Sequence, residues 1–84
     1  MSLTDRAVRS VKPSAKPRKL FDTRGLYLLV SPNGSKHWRV KYQYAKKEKL
    51  LSLGEYPLIS LAEAREGRDQ LRKHLAEGRD PAAI

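Results

Sequence analysis

The residues of this chain that are best suited to bind a ligand lie at alternate positions of one short segment. Arg39, Lys41 and Gln43 are separated by single residues, and in a β-strand such residues project from one face about 7 Å apart. Arginine can hold a guanine edge through two hydrogen bonds, glutamine can hold adenine, and lysine neutralises phosphate. The pattern favours recognition of duplex DNA, because a ribbon of two or three strands fits the major groove, which is about 12 Å wide.

Further residues could extend this contact. His37 precedes Arg39 on the same face, and Tyr27 is expected on that face in the neighbouring strand. Basic residues in the flanking turns could hold phosphates on either side; these are Arg24, Lys46, Lys47 and Lys49. Because the central strand carries no acidic residue, we expect its exposed face to be free of carboxylates. The simpler alternative is that these charges only keep a sheet face soluble, although solubilising surfaces usually mix both signs.

Catalytic chemistry has few candidate residues here. The chain has no cysteine, which excludes disulfide bonds, thiolate nucleophiles and thiolate metal sites. A zinc site at His37 or His74 would need carboxylates beside it, and we expect both histidines to be solvated surface residues. The sequence has no phosphate-binding glycine loop or nucleophile elbow, and Tyr42 and Tyr44 fall on the predicted core face. We therefore expect no enzymatic site, metal or cofactor in this chain.

The charge distribution agrees with a polyanionic partner. The 84 residues carry 18 basic and 9 acidic side chains, a net charge of +9. Residues 1–53 hold 13 of the basic and 3 of the acidic side chains, whereas residues 54–84 hold 5 and 6. Such a one-sided positive field favours nucleic acid first and an anionic membrane surface second. Membrane-surface binding is the weaker candidate, since the only convincing helix, near the C-terminal end, is nearly neutral. The longest apolar run, 26–30, is also far too short to span a bilayer.

The surrounding sequence predicts the strands that position these residues. Strict alternation over 36–44 predicts a central strand whose even-numbered side chains pack on a core. A strand at 26–30 precedes it, and Asn33-Gly34 between them is a hairpin signal. A third strand is predicted at 49–53 after a charged turn at 45–48, and residues 54–57 are expected to end the sheet. Leu20 and Phe21 are compatible with a further short strand.

Two helices flank the predicted sheet. Thr4 is the expected N-cap of a short helix that Pro13 ends. Ser60 and Glu63 form a Ser-x-x-Glu capping box at the start of a C-terminal helix, and Gly78 is expected just beyond its end. The apolar stripe of this helix, interrupted only by Arg68, comprises Leu61, Ala64, Leu71 and Leu75.

We therefore predict an α+β fold: a three-stranded antiparallel β-sheet with one C-terminal α-helix packed on one face, plus a short N-terminal helix and basic arm. The expected boundaries are 1–19 for the short helix and basic linker, 20–79 for the β-β-β-α domain and 80–84 for the start of a linker. Three functions remain open. They are binding of double-stranded DNA, binding of double-stranded RNA by a module of similar layout, and protein interaction through exposed Tyr27, Leu29 and Leu50.

Two groups of motifs resemble the N-terminal arm-type DNA-binding domain of prophage integrases. The first is GLYLLV at 25–30, NGSK at 33–36 and WR at 38–39; the second is LSLGEYP at 51–57 followed by SLAEAR at 60–65. The opening LTD at 3–5 and the closing GRDP at 78–81 are similar too. The resemblance covers nearly the whole chain. One departure is Gly67, where a better helix former is expected.

The resemblance implies a module that binds double-stranded DNA at the arm sequences of phage attachment sites. It would belong to a tyrosine recombinase that integrates and excises a prophage, with other recombinase protomers as candidate partners. In that family the core-binding and catalytic domains follow the Gly-x-Asp-Pro segment, so we expect a binding fragment without catalytic residues. The implied location is the bacterial cytoplasm, in association with the nucleoid and not with a membrane.

Overall fold

Four antiparallel strands in chain order form a single sheet in the computed structural model of this chain, which describes residues 2–83. The strands are β1 (Arg18–Phe21), β2 (Leu26–Val30), β3 (Lys36–Tyr44) and β4 (Lys47–Tyr56). The helices are α1 (Asp5–Ser10), α2 (Leu61–Ala76) and the short 3₁₀ helix η1 (Pro81–Ala83). The predicted class, an α+β fold with an antiparallel sheet and a C-terminal helix, is confirmed.

The sheet has four strands, and the prediction of three was wrong. Strand β1 pairs with β2 from Arg18 opposite Val30 to Phe21 opposite Tyr27, so the edge strand begins inside the expected basic linker. Leu20 packs against the core from this strand. A four-residue edge strand that carries two cations has too little apolar alternation to stand out in a sequence.

Strand β4 contains a β-bulge opposite the middle of β3. Trp38 pairs with Gly54 and Arg39 pairs with Ser52, which leaves Leu53 as an extra residue on β4. A bulge of this kind interrupts the alternation of the strand that carries it. Leu53 and Gly54 consequently both lie on the side of the sheet that α2 covers.

The sequence suggested that the sheet ends from Gly54 onward, but β4 continues to Tyr56. Gly54 has a φ of +122°, which other residues rarely adopt, and a Cβ atom there would lie 2.7 Å from the Ile59 side chain. The glycine thus makes room for the loop that leads to α2. The carbonyl of Ile59 in that loop accepts a hydrogen bond of 2.8 Å from the indole nitrogen of Trp38.

The core lies between the sheet and α2. Trp38 and Val40 of β3 are completely buried, and Leu61, Ala64 and Leu71 of α2 belong to the same cluster. The alternation over 36–44 predicted this arrangement, since the even-numbered side chains of β3 face the helix. The opposite face of the sheet therefore carries the odd-numbered residues of β3.

Both helix starts are confirmed as predicted. The Thr4 side chain accepts a hydrogen bond from the third residue after it, Ala7. Ser60 and Glu63 form both hydrogen bonds of the capping box at the start of α2. Helix α1 is held to the sheet at its other end, where the Lys36 ammonium donates to the carbonyl of Val8 at 2.8 Å. These contacts satisfy backbone groups that helix ends leave without partners.

A buried ion cluster joins the N-terminal segment, the β1–β2 turn and α2. The fully buried Asp22 side chain accepts hydrogen bonds from Arg65 at 3.0 Å, from Arg68 at 3.1 Å and from the backbone of Leu3 at 2.8 Å. Burial by itself raises the pKa of Asp22, but hydrogen bonds from Arg65 and from the Leu3 and Thr23 backbone outweigh it. The pKa falls from 3.8 to about 2. Arg68, which interrupts the apolar stripe of α2, is therefore a structural partner of Asp22.

Candidate nucleic-acid interface

The side of the sheet away from α2, called the open face below, follows from the strand register. Residues directly opposite each other in an antiparallel pair point to the same side, and Trp38, Val40 and Tyr42 define the covered side. The open face comprises Lys19, Phe21, Tyr27, Leu29, His37, Arg39, Lys41, Gln43, Glu48, Leu50, Ser52 and Glu55. It includes five of the nine residues that the sequence proposed for DNA contact.

Arg39 lies at the centre of the open face. It is half-buried and stands between Tyr27 on β2 and Ser52 on β4, both of which are neutral. Within residues 2–83, no carboxylate lies within ion-pair distance of its guanidinium. A guanidinium in this setting keeps its hydrogen-bond donors available for an anion or a base edge.

Lys41 and Gln43 lie beyond Arg39, where β3 and β4 extend past the end of β2. The last residue of β3 that pairs with β2 is Val40, so residues 41–50 form a two-stranded ribbon. Glu48 lies directly across from Gln43, and its carboxylate is 2.6 Å from the Lys41 ammonium. The expectation of a face free of carboxylates is therefore wrong, because an acid on the neighbouring strand shares the face with the cations of β3.

The two histidines lie in different surroundings. His37 is half-buried on the open face, with its Nδ1 atom 3.9 Å from the carboxylate of Glu55 on β4. His74 is half-buried on α2, and its Nδ1 atom is enclosed without a hydrogen-bond partner among the described residues. Neither is the fully solvated residue that the sequence suggested. In the described part of the chain, no three His, Asp or Glu side chains are grouped to bind one metal ion.

Tyr27 lies on the open face but is covered by its neighbours. Its exposed fraction is 3%, because the Phe21 ring packs 5.7 Å away, centre to centre, and the Lys19 ammonium lies 5.4 Å from the Tyr27 ring centre. The expectation that Tyr27 is exposed is therefore wrong, and its ring packs beneath Phe21 and Lys19. Phe21 and Lys19 are the exposed residues in its place.

The four basic residues of the flanking turns are not brought together. Arg24 and Lys46 are exposed and have positive φ angles of 57° and 65° in the β1–β2 and β3–β4 turns. Both turns lie at the same end of the sheet, as the hydrogen bond from Lys41 N–H to the Gly25 carbonyl shows. These two cations therefore lie at the same end of the sheet.

Lys47 and Lys49 point to the covered side, since they pair with Tyr44 and Tyr42. The Lys49 ammonium donates to Asp80 at 2.8 Å, a hydrogen bond that raises the pKa of Lys49 and lowers the pKa of Asp80. Asp80 also lies 3.4 Å from the Tyr42 hydroxyl. Lys49 thus holds the segment after α2 against the sheet, and its charge is already paired.

Sequence reasoning missed three charged residues of the open face. Lys19 falls in the predicted basic linker, because the sequence suggests a further short strand only at Leu20 and Phe21. Glu48 and Glu55 were assigned to a turn and to the end of the sheet. A longer β4, which the mixed composition of 47–56 concealed, would have placed both opposite β3.

The chain folds as a small module in which one helix covers one face of a four-stranded antiparallel sheet and leaves the other face open. Residues 3–84 match a family model described as the Arm DNA-binding domain, and the chain belongs to that family. This confirms the resemblance seen in the sequence motifs. In the part of the chain that the structure describes, no helix is both long enough and apolar enough to cross a membrane.

Curated relatives carry integrase names. The integrase of Enterobacteria phage P4 is 45% identical over 86 residues, which cover all of this chain. The prophage integrase IntZ of Escherichia coli (strain K12) is 48% identical over 81 residues and the integrase of Shigella phage Sf6 is 43% identical over 79; each alignment covers 94% of this chain. The chain spans 20% of the length of each of these relatives.

Proposed function

We propose that the open face binds double-stranded DNA at the arm sequences of phage attachment sites, with Arg39 as its central contact. The observation that carries this proposal is the position of Arg39 at the middle of the sheet, where it is half-buried and no carboxylate of residues 2–83 pairs with it. A guanidinium so placed suits the N7 and O6 acceptors of guanine in the major groove. Membership of the Arm DNA-binding domain family supports DNA as the ligand.

The ribbon of residues 41–50 is the element proposed to enter the major groove. A two-stranded ribbon has the width that the groove admits, and Gln43 projects from it on the same side as Arg39. Lys19, Arg24 and Lys46 lie around the face and are proposed to bind phosphates, which contribute affinity without sequence information. His37 shares the open face with Arg39 and is proposed to donate a hydrogen bond to a phosphate.

The same geometry favours DNA over double-stranded RNA. The major groove of A-form RNA is deep and narrow, so protein side chains cannot read it. The protruding ribbon would therefore not fit the major groove of an RNA duplex. RNA of matched length is therefore the appropriate competitor in a binding test.

The wider role we propose is that of a binding module in a tyrosine recombinase that integrates and excises a prophage. The relatives named integrase support this role, and the chain aligns with a fifth of their length. Catalysis would then reside outside this chain, and other recombinase protomers would be its protein partners in the bacterial cytoplasm.

The test is titration of the 84-residue chain with a duplex from the arms of a phage attachment site, beside scrambled DNA and RNA duplexes of equal length. Arg39→Ala should weaken binding to the arm duplex by at least about tenfold, because a bidentate guanine contact carries about 1–3 kcal/mol. Arg72→Ala removes the same charge from an exposed position on α2 and should change affinity less than about twofold. Equal effects of the two variants, or tighter binding to RNA, would contradict the proposal.

A further inference from the structure

The ribbon of residues 41–50 carries one carboxylate among its cations. Glu48 lies across from Gln43 on the open face, and its carboxylate contacts the Lys41 ammonium. Both members of this pair are more than half exposed. Lys41, Gln43 and Glu48 also line one shallow depression together with Tyr42. The carboxylate is therefore at the surface where the ribbon would meet a ligand.

A carboxylate at this position has opposite effects on the two parts of DNA. Close to a phosphate it repels, so Glu48 weakens any binding that depends only on charge. Close to a base edge it accepts a hydrogen bond from an amino group, and the N4 amino group of cytosine is the usual partner of glutamate. Opposite the O4 atom of thymine or the O6 atom of guanine, two acceptors would face each other without a proton between them.

We propose that Glu48 is a specificity-determining residue of the open face, which selects a base pair that presents the cytosine amino group in the major groove. This inference rests on the proposed function and adds a selective contact to it. Lys41 is the positioning residue, since its ammonium holds the carboxylate on the open side of the ribbon. Solvent-exposed ion pairs are weak, so Lys41 can turn to a phosphate when the carboxylate meets a base.

Selection from a library of random DNA duplexes tests this inference with the 84-residue chain. The proteins compared are the wild type, Glu48→Gln and the matched control Glu66→Gln, which makes the same charge change at an exposed position of α2. Glu48→Gln should bind unselected duplex about threefold more tightly, because repulsion of phosphate is removed. At one position of the motif, its preference for cytosine over the other bases should fall by at least about fivefold, or be replaced by a preference for adenine, the usual partner of glutamine. Glu66→Gln should select the wild-type motif.

The outcomes separate this inference from the proposed function. An unchanged motif for Glu48→Gln would overturn the role of Glu48 and leave the proposed function standing. A wild type that binds duplex DNA without sequence preference would overturn the role of Glu48 together with the proposed selectivity for arm sequences. A wild type that binds no duplex at all would overturn both. A changed motif in both glutamate variants would also overturn the role, because the effect would then follow net charge and not position.

Discussion

The guanidinium of Arg68 donates a hydrogen bond of 3.1 Å to the carboxylate of Asp22, and this pair joins the middle of α2 to the turn after β1. The same carboxylate holds Arg65 and the backbone of Leu3. Three segments far apart in the sequence thus converge on one side chain. Since an 84-residue chain has a thin core, the cluster fixes how the helix sits on the sheet and which face of the sheet stays open.

We expect Asp22→Asn to destabilise the domain by about 3 kcal/mol, because the loss of one member of a buried ion cluster leaves its partners uncompensated. Urea denaturation followed by circular dichroism measures the change. Asp69→Asn is the matched control, since Asp69 also accepts from Arg68 but its side chain is 57% exposed. Its loss should cost less than about 1 kcal/mol. Equal costs for the two variants would show that the cluster around Asp22 does not stabilise the fold.

Acid should weaken the same cluster. The pKa of Asp22 is lowered to about 2, below its value of 3.8 in the unfolded chain, so the folded state binds this proton less readily. The resulting stabilisation is fully present above pH 4 and is lost as the pH falls through 2. A shift of this size corresponds to about 2–3 kcal/mol.

The measurement is the stability difference between wild type and Asp22→Asn at pH 5, 3 and 2. Glu63 and Asp80 also have lowered pKa values, but both are present in the two proteins and cancel in the difference. We expect the difference to shrink as the pH falls. A difference that stays constant would mean that the carboxylate of Asp22 titrates normally.

The sequence predicted the elements whose signals are local. Alternation over 36–44 predicted β3 and its two faces, and the capping box at Ser60 predicted the start of α2. Long-range pairings could not be read in this way. Arg68 broke an apolar stripe without indicating its partner, because Asp22 lies 46 positions away in the sequence.

The open face could be predicted for β3, which showed the pattern, and for Tyr27 on the neighbouring strand β2. Arg39, Lys41 and Gln43 were placed by the alternation of β3 itself. Glu48 depends on the register between β3 and β4, which is set by the turn and by the bulge at Leu53. Lys19 depends on an edge strand that is stabilised by pairing with β2 and not by its own composition. Both properties are tertiary, and local propensity does not encode them.

Gly25 should be one of the least replaceable residues outside the core. It has a φ of +86°, and a Cβ atom there would lie 2.3 Å from the carbonyl oxygen of Lys41, a backbone atom that cannot move aside. Gly25→Ala should therefore cost more than the about 1–2 kcal/mol of a left-handed backbone alone. Gly34→Ala is the control, because Gly34 has a similar φ of +94° but a Cβ atom there would meet no atom within 4 Å beyond its chain neighbours. Thermal denaturation of both variants would contradict this reasoning if the two melting temperatures were the same.

Gly67 should tolerate alanine. A Cβ atom at this position would lie 3.2 Å from a methyl group of Leu53, which is the mobile end of a half-buried side chain. Alanine in a helix is favoured over glycine by about 1 kcal/mol, and a small shift of Leu53 offsets part of that gain. We expect Gly67→Ala to raise stability by about 0.5 kcal/mol in urea denaturation. Gly67→Leu should lower it, because no small shift of Leu53 accommodates the larger side chain.

Variants of Lys46 and Lys49 should distinguish a lysine that contacts DNA from a lysine that stabilises the fold. Lys46 is exposed in the turn at the tip of the ribbon, whereas Lys49 donates to Asp80 on the covered side. Each phosphate contact contributes about 0.9 to the slope of log affinity against log salt. Lys46→Ala should therefore lower that slope by about 0.9 in titrations with an arm-site duplex, and leave the urea midpoint unchanged. Lys49→Ala should leave the slope unchanged and lower the urea midpoint, because it releases Asp80 and the segment after α2. The reverse result would indicate that DNA contacts the covered side of the ribbon. It would contradict the assignment of DNA binding to the open face.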